Sequence, residues 1–215
     1  MVKICGITRL QDARAAVDAG ATALGFVFWP GSPRYVPVDV AAAIRDALPE
    51  DVFTVGVFVD TPGAEIAAVA ERARLSLVQL HGSEAAANAG GVQLPVMRSA
   101  TLENFAARDA AWPAETMFLL DAADPVRHGG TGMAVDWTRA AALARGTRRV
   151  VLAGGLTPQN VAEAVSVVRP YGVDVSSGVE AAPGVKDPRK VAAFVASARA
   201  AFDALGSLDP SGARP

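Results

Sequence analysis

A single closed α/β barrel is the fold this sequence predicts, on three observations. Short apolar runs recur eight times, at Val2–Cys5, Ala23–Phe28, Phe53–Val59, Leu77–Leu80, Pro95–Arg98, Met117–Asp121, Arg149–Ala153 and Val173–Ser176, with alanine-rich amphipathic stretches between them. Several runs are apolar at consecutive positions, which suits parallel strands covered on both faces better than a half-wet antiparallel sheet. A length of 215 residues allows about 27 residues per unit, room for a strand of ~5, a helix of ~12 and two short loops. The expected architecture is therefore a single (β/α)8 TIM barrel with eight parallel strands over residues 1–205. The Gly/Ser/Pro-rich segment 206–215 is expected to be a disordered tail.

The helix starts can be read from capping residues, because the first-turn N–H groups need side-chain acceptors. Thr8 with Gln11 reads as a capping box, and Thr61–Pro62, Thr157–Pro158 and Asp187–Pro188 each place an acceptor before a first-turn proline. Thr101 and Asp136 read the same way. The fourth unit is different: Ser83–Gly91 is so rich in alanine and glycine that its helix is expected to be short or irregular. After Asp121 the chain runs through Gly129–Gly130–Thr131–Gly132 before a cap at Asp136, a length typical of functional lids.

Composition excludes several classes of function. Lys plus Arg number 20 against 22 Asp plus Glu, for a formal net charge of −2, so no basic footprint for nucleic acid or an acidic membrane surface is present. With 51% hydrophobic and 20% charged residues, the composition is that of a globular core and not of a disordered chain. The single cysteine, Cys5, excludes a disulfide framework and a multi-cysteine metal site. The opening residues lack the apolar stretch of a signal peptide, and no run reaches the ~20 apolar residues of a membrane span. A cytoplasmic enzyme is expected, as a monomer or homodimer, with a small-molecule substrate and no metal or other cofactor.

In such a barrel the chemistry gathers at the C-terminal ends of the strands, with phosphate held after strands seven and eight. Gly154–Gly155 follows the seventh strand and Ser176–Ser177–Gly178 the eighth. Their glycine backbone lets an anion approach N–H donors closely. Each turn alone is also explained as an ordinary tight connection, but the pair in these two positions points to phosphate.

Cys5 ends the first strand, and the period of two puts Lys3 on the same face. A neighbouring cation favours thiolate, a usable general base, whereas a lone strand cysteine is ordinarily a small buried hydrophobe. Asp121 closes the apolar run Met117–Leu120, where desolvation would raise its pKa and suit it to donate a proton; capping the next turn is its structural alternative. Acid, base and phosphate-binding groups on one rim suggest proton transfer on a sugar phosphate.

The motifs Lys3–Thr8, Gly25–Phe28, Ser32–Tyr35, Val57–Val59, Gln79–Gly82, Leu119–Asp121, Gly130–Gly132 with Asp136–Trp137, Gly154–Leu156 and Asp174–Glu180 together resemble the phosphoribosylanthranilate isomerase family of tryptophan biosynthesis. The resemblance runs from residue 2 to about residue 200. It implies a cofactor-free Amadori rearrangement of N-(5′-phosphoribosyl)anthranilate to 1-(2-carboxyphenylamino)-1-deoxyribulose 5-phosphate. It also implies Cys5 as general base, Asp121 as general acid, Arg34 on the anthranilate carboxylate, and Gly155, Ser177 and Gly178 in the phosphate loops. A planar guanidinium suits Arg34 to that role, although a surface arginine between two prolines is its plain alternative. His81 faces the pocket or orients a loop; Asp174 contacts the substrate amine or pairs with Lys3; His128 is expected to face solvent. One departure from the family pattern is Met133–Val135, where relatives often carry a lysine or an aromatic residue.

Other readings are a broader aminoaldose isomerase, a non-catalytic phosphosugar-binding barrel, and a redox-sensing thiol. The first would be expected to use two carboxylates as acid and base, where this chain offers Cys5. The second predicts that Cys5 is dispensable, and the third lacks a second cysteine to resolve the oxidised sulfur.

Overall fold

The computed structural model of the chain describes residues 1–89, 91–121, 136–146 and 148–208. Eight strands hydrogen-bond in sequence order and close on themselves: β1 (Val2–Cys5), β2 (Ala23–Val27), β3 (Phe53–Phe58), β4 (Leu77–Leu80), β5 (Val96–Ala100), β6 (Met117–Leu120), β7 (Val150–Leu152) and β8 (Gly172–Val175). Every neighbouring pair is parallel, including β1 with β8, where Lys3 stands opposite Asp174. The eight predicted runs are these eight strands, displaced at their ends by one or two residues.

Helices α1 (Leu10–Asp18), α2 (Val38–Asp46), α3 (Gly63–Arg72), α4 (Phe105–Ala111), α5 (Trp137–Ala144), α6 (Val161–Val168) and α7 (Pro188–Leu208) occupy the crossovers. The fourth unit holds only a 3₁₀ turn at Ala86–Ala89, the short element its composition predicted. A short antiparallel ribbon, β9 (Glu180–Ala182) with β10 (Val185–Lys186), follows β8 and was not foreseen. The expected tail overlaps the end of α7, and its residues 209–215 lie outside the described residues, as do 122–135, with His128 and the Met133–Val135 departure. Among the described residues no helix is long and apolar enough to cross a membrane.

Strand alternation divides the core into two shells. Ile4, Leu24, Phe26, Val78, Leu80, Phe118, Leu120 and Val173 face outward into the helix layer. Ala23, Val55, Leu77, Met97, Leu119 and Val151 fill the barrel interior, and Cys5, Val27 and Val57 form a smaller cluster apart from them. An interior packed in layers is what makes this fold a solid support with its chemistry at one end.

Several capping expectations are corrected. Thr8 caps nothing: its Oγ1 donates to Gly184 O at 2.6 Å, and Arg9, whose side chain grips Asp12, stands at the N-cap. Thr61 Oγ1 donates to Val59 O, and α3 begins at Gly63 without a side-chain cap. At Thr157 the first turn is used up before the helix: Asn160 Oδ1 accepts the threonine N–H at 2.8 Å, so α6 starts later than predicted. Thr101 caps as expected: its Oγ1 accepts from Asn104 N–H at 3.3 Å while Asn104 Oδ1 accepts from Thr101 N–H at 2.8 Å, just ahead of α4. Asp136 and Asp187 cap as expected, accepting from Thr138 and Arg139, and from Arg189 and Lys190. A carboxylate wins at these two ends because it is the strongest acceptor for orphan N–H groups and has no competing local donor.

Candidate active site

A cavity of about 560 Å³ opens at the C-terminal ends of the strands. All ten residues singled out in the sequence line it: Cys5, Arg34, His81, Asp121, Gly154, Gly155, Asp174, Ser176, Ser177 and Gly178. They come from six of the eight strand ends, which is how a closed barrel brings residues 170 positions apart to one mouth.

Cys5 lies on the floor, buried, as the last residue of β1. Gly25 stands beside it on β2 because a Cβ there would come within 2.8 Å of Cys5 Sγ and 3.1 Å of Lys3 Cε. Lys3 is fully buried and donates from Nζ to Asp174 Oδ1 at 2.9 Å. Burial would lower the lysine pKa, but the Asp174 carboxylate and the nearby Cys5 outweigh it and push it up to about 12. The thiol moves the other way from the sequence expectation: burial raises its pKa more than the Lys3 ammonium lowers it. The cation is where the period of two placed it, but Asp174 takes part of its charge.

Asp121 stands one residue beyond β6, its N–H still bonded to Ala100 O. Its Oδ2 lies 3.7 Å from His81 Nε2. The other ring nitrogen, Nδ1, sits 2.8 Å from Ser99 Oγ and 3.3 Å from Gln79 Nε2. Gln79 and Ser99 are the interior-facing residues of β4 and β5, so two strands fix the imidazole that faces Asp121. His81 therefore faces the pocket, and it is held by strand residues more than by its loop.

Arg34 reaches the mouth from the loop after β2. Its stem crosses Gly6, where a Cβ would meet Arg34 Cδ at 2.6 Å. The guanidinium is held by Glu180, with Nε and Nη2 each 2.8 Å from a carboxylate oxygen. Glu180 also accepts from Lys186 Nζ at 2.9 Å, and Lys186 Nζ reaches Ser176 O at 3.2 Å.

The two glycine turns meet. Gly154 and Gly155 both have positive φ, 84° and 65°, a conformation that admits few side chains. A Cβ on Gly178 would lie 1.9 Å from Leu156 O, so the turn after β8 presses directly on the turn after β7. Gly155 O accepts from Asn160 Nδ2, which ties that turn to the start of α6.

Sequence reasoning assigned no role to Glu180, Lys186, Gln79 or Ser99. Glu180 was inside a recognised motif, and Gln79 and Ser99 fall on the interior period of their strands, so a search for polar residues on the inward face would have found the last two. Lys186 gave no signal, because the ribbon that carries it was not foreseen.

A profile of the family described as "N-(5'phosphoribosyl)anthranilate (PRA) isomerase" matches residues 2–197. The N-(5'-phosphoribosyl)anthranilate isomerase of Geobacter sp. (strain M21) is 52% identical over 200 residues, covering 92% of this chain and 97% of that protein. The crystal structure of phosphoribosyl anthranilate isomerase from Thermotoga maritima matches with a TM-score of 0.84 at 41% identity, covering 93% of this chain and 98% of that one. A solved complex of the isomerase with reduced 1-(o-carboxyphenylamino)-1-deoxyribulose 5-phosphate matches with a TM-score of 0.82 at 40% identity and the same coverage. With the profile spanning nearly the whole barrel and a relative at this identity, the chain belongs to the N-(5'-phosphoribosyl)anthranilate isomerase family.

Proposed function

We propose that this chain catalyses the Amadori rearrangement of N-(5′-phosphoribosyl)anthranilate to 1-(2-carboxyphenylamino)-1-deoxyribulose 5-phosphate, a step of L-tryptophan biosynthesis, with Cys5 as base and Asp121 as acid. The observation that supports it is the shared cavity: thiol, carboxyl, guanidinium and both glycine turns line one space.

The 5′-phosphate is held by backbone N–H groups of Gly154, Gly155, Ser177 and Gly178 and the hydroxyls of Ser176 and Ser177. The anthranilate carboxylate lies against Arg34. Asp121, protonated, gives its proton to the furanose ring oxygen as the C1–O bond breaks, and the nitrogen lone pair forms the C1=N iminium. That cation acidifies the C2 proton. Cys5 thiolate takes it, and the C–H electron pair becomes the C1=C2 bond of an enolamine. Loss of the C2 hydroxyl proton and protonation at C1 give the ketone. His81, fixed by Ser99, faces Asp121 and orients its carboxyl.

Because burial raises the Cys5 thiol pKa, the resting thiol is protonated at neutral pH, and the active fraction grows as pH rises. The kcat/KM profile should therefore climb on its acid limb toward the alkaline side.

Purified Cys5→Ala and Asp121→Asn should each lose at least about a hundredfold in turnover while binding the product analogue as before. Ordinary turnover in either variant overturns the assignment of that residue.

A further inference from the structure

The guanidinium of Arg34 is engaged along one edge only. Nε and Nη2 each donate to Glu180 at 2.8 Å, and among the described residues nothing bonds Nη1. The remaining edge, Nη1 with the second hydrogen of Nη2, is the one left for a planar carboxylate.

Glu180 is held as firmly as the arginine it grips. It is buried, at the start of β9, and its Oε1 also accepts from Lys186 Nζ at 2.9 Å and from Gly184 N at 3.3 Å. Lys186 is buried too; its own N–H donates to Asp12 Oδ2 at 3.0 Å, and its Nζ donates to Ser176 O. The chain of contacts thus runs from α1 through the ribbon to the pocket and the rim of the phosphate turn. Two cations balance the one carboxylate, so Glu180 remains ionised: burial works against its charge, but Arg34 and Lys186 together hold its pKa below the usual carboxylate range.

We propose that Glu180 is a positioning residue for ligand recognition: it fixes the plane of Arg34 so that the opposite edge of the guanidinium receives an aryl carboxylate, while Lys186 keeps Glu180 in place. Without Glu180 the arginine has a flexible stem and several rotamers, and orienting it falls to the ligand, at a cost in affinity. A residue acting this way changes the affinity of carboxylate-bearing ligands and leaves the proton-transfer steps alone. The inference rests on the reading of Arg34 given above.

The test measures dissociation constants by calorimetry for two probes: reduced 1-(2-carboxyphenylamino)-1-deoxyribulose 5-phosphate and the same compound lacking the carboxyl group. Glu180→Gln should weaken the carboxylated probe about tenfold, the loss typical of a misplaced charge-assisted contact. It should leave the decarboxylated probe within about twofold and raise KM far more than it lowers kcat. Equal weakening of both probes, or none of either, overturns the proposal. Glu180→Asp keeps the charge beside Lys186 while drawing it back from Arg34, and carries the same expectation if the Gln variant does not fold. Arg34→Met separates the two readings: if it leaves the carboxylated probe unaffected, the role of Arg34 itself fails. If Arg34→Met weakens that probe and Glu180→Gln does not, only the role of Glu180 fails.

Discussion

Lys3 Nζ and Asp174 Oδ1 form a salt bridge of 2.9 Å between β1 and β8, at the seam where the barrel closes. The ammonium is fully buried, and its side chain and the thiol of Cys5 both pack against Gly25. The pair therefore does two things: it closes the barrel with charges in place of apolar packing, and it sets the field in which the proposed base titrates.

Removing the pair should move the thiol. Lys3→Met alone leaves the Asp174 carboxylate buried without its partner, a change worth about 3–5 kcal/mol, so the Lys3→Met/Asp174→Asn double variant is the cleaner comparison. Lys3 lowers the thiol pKa more than Asp174 raises it, so the double variant should titrate at higher pH than the parent, followed by thiolate absorbance. An unmoved thiol titration would reject the coupling. Stability gives an independent reading. The Lys3 pKa is raised from 10.5 to about 12, so the ion pair contributes fully below about 10.5 and is lost as pH climbs through about 12. The parent should lose about 2 kcal/mol more than the double variant across that window, measured by denaturant unfolding.

Gly178→Ala should disrupt the junction of the two glycine turns proposed to hold the phosphate. The added methyl would meet Leu156 O, a backbone atom that cannot swing aside. Weaker competitive inhibition by inorganic phosphate, by at least about tenfold, is the expected outcome. Unchanged inhibition would show that the turns can part without harm.

Beneath the loops after β3, β4 and β5, Arg98 and Glu84 pair at 2.9 Å with both side chains 1% exposed. Arg98 also donates to Leu80 O and Gly82 O, and Glu84 Oε1 accepts from Asp60 N. Burial and neighbouring Arg108 lower the Arg98 pKa to about 10, still well above neutral. Glu84→Gln should thus leave a buried guanidinium uncompensated and destabilise the fold by about 3–5 kcal/mol, read as a fall in the urea midpoint. A shift under about 1 kcal/mol would mean that solvent reaches the pair.

The limits of sequence reading are visible in particular residues. Ala23, Val55 and Val151 lie in short runs of mostly apolar residues, the pattern of strands covered on both faces. Asp136 and Asp187 announced their helices, but Thr8 did not cap α1, because its hydroxyl had a partner in the β9–β10 ribbon 176 residues away. A capping signal fails wherever the hydroxyl finds another partner, close in the chain as Val59 O is for Thr61 or distant as Gly184 O is for Thr8.

The same division holds at the site. The succession of strands by itself determined the barrel, and with it the set of residues gathered at one mouth, since closure places every strand end on a common rim. The tertiary structure alone decided how those residues are tuned. Burial turned the thiol pKa upward against a neighbouring cation, Asp174 took part of that cation's charge, and Glu180 chose which edge of Arg34 the pocket sees. Desolvation and orientation depend on every neighbour in three dimensions, and the order of residues along a chain encodes neither directly.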